Sequence, residues 1–247
     1  MVRATLADLK TQTRRIIKPQ PAAYMNVLSP QAGGDHRVFP GQWSWGGNCG
    51  AGWMEKPFTC PYGQPGDRLW VRENITQRQL VNFLTGEPTK LISAAYAADD
   101  EDVEDERGFQ VTPWWKGKKP LPSIHMPRWA SRLTLEITDV RVQRLQEISE
   151  EDARAEGVQC EVVIDGQPMS GCYWDYLLNC WSGAFPNDAE ARGSFRTLWE
   201  SINGPGSWDL NPWVWAISFK RIDAQRRELE ASWTSLSIPT PTPKATP

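Results

Sequence analysis

The strongest alternation in the chain lies at residues 132–142, where Leu133, Leu135 and Ile137 share one side before Val140 and Val142 resume the pattern one position out of step. Period-two alternation marks a strand with one buried face, and a bulge near Thr138-Asp139 accounts for the slip. Residues 213–219 alternate too, which puts Trp213, Trp215, Ile217 and Phe219 on one side of a half-buried barrel strand. Further strands are predicted over 68–73, launched by the turn Pro65-Gly66-Asp67, and over 90–97.

Two helices stand out. One starts at Ser149, with Asp152 three residues on and Glu150, Glu151 and Asp152 at the positive end of the dipole, and Gly157 ends it. The other covers 188–202, with Phe195, Leu198, Trp199 and Ile202 on one face, and stops at Asn203-Gly204-Pro205-Gly206. Residues 1–6 suggest one more helical turn. Residues 19–66, rich in Pro, Gly and Trp, show neither period and read as a long insertion that covers or shapes a site; 99–125 reads as a second. The Ser/Thr/Pro tail at 227–247 cannot bury apolar area and is expected to be disordered. With no repeated β-α-β unit, the pattern predicts a single α+β domain over 1–226, a mixed β-barrel with flanking helices and irregular insertions.

Composition narrows the function classes. At 247 residues the chain can bury a sizeable core, and its 14 tryptophans exceed what packing requires, so some are expected to line a groove. A net charge of -3 argues against coating nucleic acid through bulk charge. The first twenty residues are nonetheless basic, with Arg3, Lys10, Arg14, Arg15 and Lys18 against Asp8, while 99–106 is acidic except for Val103 and reads as a solvated loop. No apolar run approaches the roughly 18 residues of a membrane span, and no signal-peptide core is visible, so a soluble, cytoplasmic protein with no membrane partner is expected. Five cysteines without a C-x-x-C pair indicate free thiols. A metal site built from Cys49 and Cys60 with His36 or His125 is the alternative; no metal and no cofactor is the expectation. Phosphate-loop, H-E-x-x-H and G-x-S-x-G motifs are absent from the sequence.

The densest polar chemistry is Lys10-Thr11-Gln12-Thr13-Arg14-Arg15. If the opening helical turn continues, Lys10 and Thr13 are neighbours on one face. An amine beside a hydroxyl can take the proton of an attacking threonine, provided the amine is neutral; a solvated basic turn is the other reading of the same spacing. His125, Arg128 and Trp129 offer a ring nitrogen, a guanidinium and a stacking face for a base or its phosphate, or else Arg128 pairs with an acid and Trp129 is core. Arg72 and Glu73 sit at a strand end, where they read a base edge or form a surface ion pair.

Five blocks together resemble the ASCH family, specifically its larger phage- and prophage-borne members: K-T-Q-T-R-R at 10–15, P-G-D-R-L-W-V-R-E at 65–73, H-M-P-R-W-A-S-R at 125–132, L-Q-E-I-S-E-E-D-A-R-A-E-G-V at 145–158 and the closing W-V-W-A-I-S-F-K. The resemblance spans most of 1–222 and implies a PUA-like barrel with a cleft that binds a nucleoside, a nucleotide or RNA. Small members of the family are amidohydrolases that deacetylate N4-acetylcytidine with a lysine, a threonine and a glutamate. The resemblance carries these roles to Lys10 as base, Thr13 as nucleophile and Glu156 as the group that positions the lysine or shuttles its proton. Arg14, Arg15, Arg72, Glu73, His125, Arg128 and Trp129 are then expected to bind substrate. Other members act as ribonucleases, so an RNA-binding module is the alternative. Larger relatives carry a strand ahead of the Met-Val-Arg segment, and its absence here predicts an exposed barrel edge that a second copy can fill as a homodimer.

Overall fold

A computed structural model of the chain describes residues 2–22, 25–28, 42–47, 57–82, 84–105, 107–117, 119–164, 167–183, 185 and 190–222. In chain order the elements are helix α1 (Val2–Leu6), strands β1 (Gln12–Ile16), β2 (Met25–Leu28), β3 (Gln42–Gly47), β4 (Phe58–Thr59), β5 (Arg68–Trp70), β6 (Ile75–Val81), β7 (Pro88–Tyr96) and β8 (Thr134–Arg144), helix α2 (Glu150–Ala155), strands β9 (Cys160–Ile164), β10 (Gln167–Asp175) and β11 (Cys180–Ser182), helix α3 (Glu190–Asn203) and strand β12 (Trp213–Arg221). Strands dominate and helices are few. The fold is α+β with a curled half-barrel sheet.

That sheet is antiparallel, in the order β1-β12-β8-β5. The bulge falls where the alternation slips: Ser218 pairs with Asp139 and Phe219 with Ile137, which leaves Thr138 without a partner and keeps Leu135, Ile137, Val140 and Val142 on one face. Strand β12 departs from the half-buried expectation because both its faces are covered. Trp213, Trp215 and Ile217 pack with Trp43, Trp45 and Ile137, whereas Val214 faces Phe195, Leu198 and Trp199 of α3.

Residues 19–66 are more than an irregular insertion. Strands β2, β3 and β4 form a three-stranded sheet, and its indoles close the core: Trp43 meets Trp215 edge-on at 4.9 Å and Trp45 lies 5.4 Å from Trp213. Most of the described tryptophans in this region thus serve packing, each burying a large apolar area. A separate cluster of Ile75, Ala94, Tyr96, Val103, Leu121 and Met126 supports the β6–β7 hairpin, with Val103 of the acidic run buried in it. Arg132 ties this unit to the half-barrel by pairing with Glu73, Asp99 and Glu101 at 2.8, 2.8 and 2.6 Å. The tail at 227–247, the start of the predicted helix at Asp188, and Cys49 and His36 of the alternative metal site lie outside the described residues.

Helix α2 starts as its sequence dictates, with the Ser149 hydroxyl accepting from the Asp152 amide at 3.1 Å. Glu150 reaches out of that first turn to accept from the amides of Ala191 and Arg192 at 3.1 and 2.9 Å, so one helix caps the next. At its other end Gly157 takes φ +75°, and a Cβ there would stand 2.8 Å from Lys10 Cβ and 3.0 Å from Ala4 Cβ. The Gly157→Ala substitution is therefore expected to cost about 2–4 kcal/mol, from the positive φ and from overpacking, read as a lowered urea midpoint.

Candidate active-site cleft

The opening helix ends at Leu6, and Lys10 does not continue it. The Lys10 amide instead bonds to Ala4 O at 3.0 Å, the residue forms an isolated bridge with Glu156, and the chain enters β1 two residues later. The helical neighbourhood expected of Lys10 and Thr13 is thus replaced by strand alternation. Gln12, Arg14 and Ile16 lie on the side of α2 and α3, and Thr13, Arg15 and Ile17 on the other, where Ile17 joins the tryptophan core, Thr13 is half-buried opposite Ile217 and Arg15 is exposed. The turn fails to stay helical because the Lys10 main chain is bridged to Glu156, far away in sequence, and the following strand is held by β12.

A cleft of about 1030 Å³ wraps around this edge strand. Lys10, Thr13, Arg15 and Glu156 border it, and its far wall carries Tyr62, Trp70 and Arg72. The Lys10 amine reaches three acceptors: Glu156 Oε2 at 2.9 Å, Glu156 O at 2.7 Å and Gln12 O at 2.8 Å. The last belongs to the peptide joined to Thr13, so the amine sits one peptide unit from the threonine. Thr13 itself is half-buried and forms no hydrogen bond to Lys10 or Glu156. Burial pushes the Lys10 ammonium below the ordinary lysine range; Glu156 pulls it back up, while Arg15 and Arg14 add to the lowering.

Behind the amine runs a ladder of alternating charge. Glu156 Oε1 accepts from Arg14 at 3.2 Å, Arg14 donates to Asp152 at 2.7 Å, Asp152 accepts from Arg141 at 3.3 Å, and Arg141 meets Asp139 at 3.3 Å. Side-chain exposure rises along it from 3% at Glu156 and 0% at Arg14 to 19% at Asp152 and 54% at Asp139. Burial pushes the Asp152 carboxyl upward, but Arg14 and Arg141 outweigh it and hold the group below the usual carboxylate range. A carboxyl depressed on folding contributes stability that is full above its unfolded pKa, about 3.9, and is lost as pH falls below it. Asp152→Asn is therefore expected to flatten the fall in unfolding free energy below about pH 4.

The other predicted residues divide. Arg72 lies exposed on the cleft wall with its guanidinium 4.6 Å from the Trp70 ring, and Arg15 is exposed with no ion pair among the described residues. Arg14 lines the cleft from beneath, its side chain fully buried and committed to Gln12, Asp152 and Glu156. Glu73 is buried against Arg132 instead of facing the cleft. His125, Arg128 and Trp129 sit exposed in two 3-10 turns, where Trp129 packs edge-on against Trp114 at 4.8 Å; none of them borders the cleft. The sequence marks Asp152 only as a capping residue and assigns no role to Gln12 or Arg141. The signal for Gln12 was the period-two spacing Lys10, Gln12, Arg14, visible once the segment is read as a strand.

No group of three or more His, Cys, Asp or Glu is placed to hold a metal ion among the described residues, and none of their helices is long and apolar enough to cross a membrane. No family model, curated protein or solved structure matches the chain.

Proposed function

We propose that the protein is an ASCH-type amidohydrolase with a PUA-like barrel, acting in the cytoplasm on a modified nucleoside or nucleotide such as N4-acetylcytidine. The observation that carries this reading is the meeting of Lys10 and Glu156, 146 residues apart, at 2.9 Å on the wall of the cleft that Thr13 also borders. Thr13 Oγ1 attacks the acetyl carbonyl as neutral Lys10, released from Gln12 O and turned toward the threonine, accepts its proton, and the ammonium returns that proton to the departing N4 of cytosine. Water then adds to the acetyl-threonine ester with Lys10 again as base, and acetate and free Thr13 result. Glu156 holds the lysine in place through both steps. Reaching neutrality at pH 7 from a pKa of about 10.4 costs a lysine on the order of 4.6 kcal/mol, and burial beside Arg14 and Arg15 works in that direction.

A second reading, an RNA-binding module with or without nuclease activity, draws on the exposed cations Arg15, Lys18 and Arg72 around an aromatic cleft. One pair of measurements separates the two. A hydrolase releases acetate from N4-acetylcytidine in an enzyme-coupled assay. A binder retains single-stranded RNA with a logarithmic salt slope of about 0.7 per phosphate contacted. The same proposal has a second copy pairing at an outer strand of the half-barrel sheet, β1 or β5, checked by sedimentation equilibrium.

A further inference from the structure

Of the cations around the Lys10 amine, Arg14 is the one that shares its carboxylate. Its side chain is fully buried, and its two terminal nitrogens are divided among three acceptors: Nη1 gives to Gln12 Oε1 at 2.6 Å and Glu156 Oε1 at 3.2 Å, and Nη2 gives to Asp152 Oδ2 at 2.7 Å. Each oxygen of Glu156 thus has its own cation, Oε1 for Arg14 and Oε2 for Lys10.

We propose that Arg14 is a positioning residue, which fixes the Glu156 carboxylate so that Oε2 is left aimed at Lys10. The inference rests on the hydrolase reading for its consequence in catalysis, but its geometry stands apart from any substrate. A planar fork suits this task where a flexible ammonium would not, because two of its nitrogens can hold two carboxylates at fixed angles. The remaining groups around the amine are few. Glu156 faces it from the end of α2, Arg15 acts from β1, and α1 contributes Ala4 and Thr5; Asp8 is drawn off to Arg221 of β12. Asp152 pairs with Arg14, which it partly neutralises, and Arg141 pairs in turn with Asp152.

That arrangement predicts shifts of opposite sign. Removing Arg14's charge leaves Glu156 to hold the Lys10 proton more firmly, so Arg14→Gln raises the Lys10 titration midpoint and lowers the fraction of neutral amine at a given pH. Removing Asp152's charge leaves Arg14 less screened, so Asp152→Asn lowers the midpoint. Arg14→Lys keeps the charge and holds the midpoint near the wild-type value. The experiment is an NMR titration of the Lys10 Nζ on the full chain, run beside the pH profile of kcat/KM on N4-acetylcytidine. The acid limb of that profile is expected to move with the midpoint: upward in Arg14→Gln, downward in Asp152→Asn. An unmoved Lys10 midpoint in folded Arg14→Gln overturns the inference; if that variant does not fold, a midpoint unchanged or raised in Asp152→Asn overturns it instead. Absence of acetate release from the wild type removes the hydrolase reading and leaves the Lys10 titration to judge Arg14.

Discussion

Thr13→Ala is expected to lower acetate release from N4-acetylcytidine by at least about 10³-fold, the scale on which loss of a covalent nucleophile acts. The fold should hardly notice. Thr13 is half-buried, pairs with Ile217 through the main chain, and its hydroxyl bonds to neither Lys10 nor Glu156, so alanine strands no partner of those two. The loss should appear in kcat and in kcat/KM alike, because the hydroxyl acts in the transition state instead of in binding. Thermal unfolding should stay within about 0.5 kcal/mol of wild type, as for surface-like positions. Activity within tenfold of wild type would remove Thr13 from the chemistry, and with it the threonine mechanism.

Glu156→Ala is expected to be the most damaging single change to stability in this region. The Glu156 side chain is 3% exposed and answers two buried cations, Lys10 and Arg14, which would remain in the interior with their counter-charge gone. Breaking a buried pair in this way costs about 3–5 kcal/mol, far above a surface ion pair. For a domain of this size that is a fall in Tm on the order of 10 °C. The effect comes from the stranded charges, not from a large intrinsic worth of the pair, because desolvation offsets most of the attraction. Hence Lys10→Met combined with Glu156→Ala should lose clearly less than the two single changes summed, by about 1–3 kcal/mol in a double-mutant cycle. Additivity of the two would show that the amine and the carboxylate do not share one buried niche in solution.

Much of the scaffold was legible in the residues because it depends on local rules. The slip from Ile137 to Val140 announced the bulge, Ser149 and Asp152 announced the start of α2, and Gly157 its end. The three strands within 19–66 escaped notice because they are short, and in β3 Ser44 is buried along with Trp43 and Trp45, so no polar face marks the period. The double burial of β12 escaped for a related reason: alternation reports a difference between faces, and Val214 and Ala216 are as buried as Trp213 and Trp215. Glu73 reads as a surface carboxylate in sequence because its partner Arg132 lies 59 residues away.

The candidate site shows the same division at finer grain. Sequence alone determined the chemical inventory: an amine, a hydroxyl and two guanidinium groups within six residues, and a carboxylate at the end of a capped helix. Spacing predicted that the amine and the hydroxyl share a helical face. The tertiary structure decided otherwise, since main-chain pairing with β12 commits 12–16 to a strand and turns Thr13 and Arg14 to opposite faces. It also decided that Glu156 belongs to Lys10, and that Arg14 belongs to the carboxylate, not to a ligand. Local propensity and capping act over a few residues and can be read from them, whereas which charges neutralise one another in the interior depends on chain closure across 146 residues, and no local pattern encodes that.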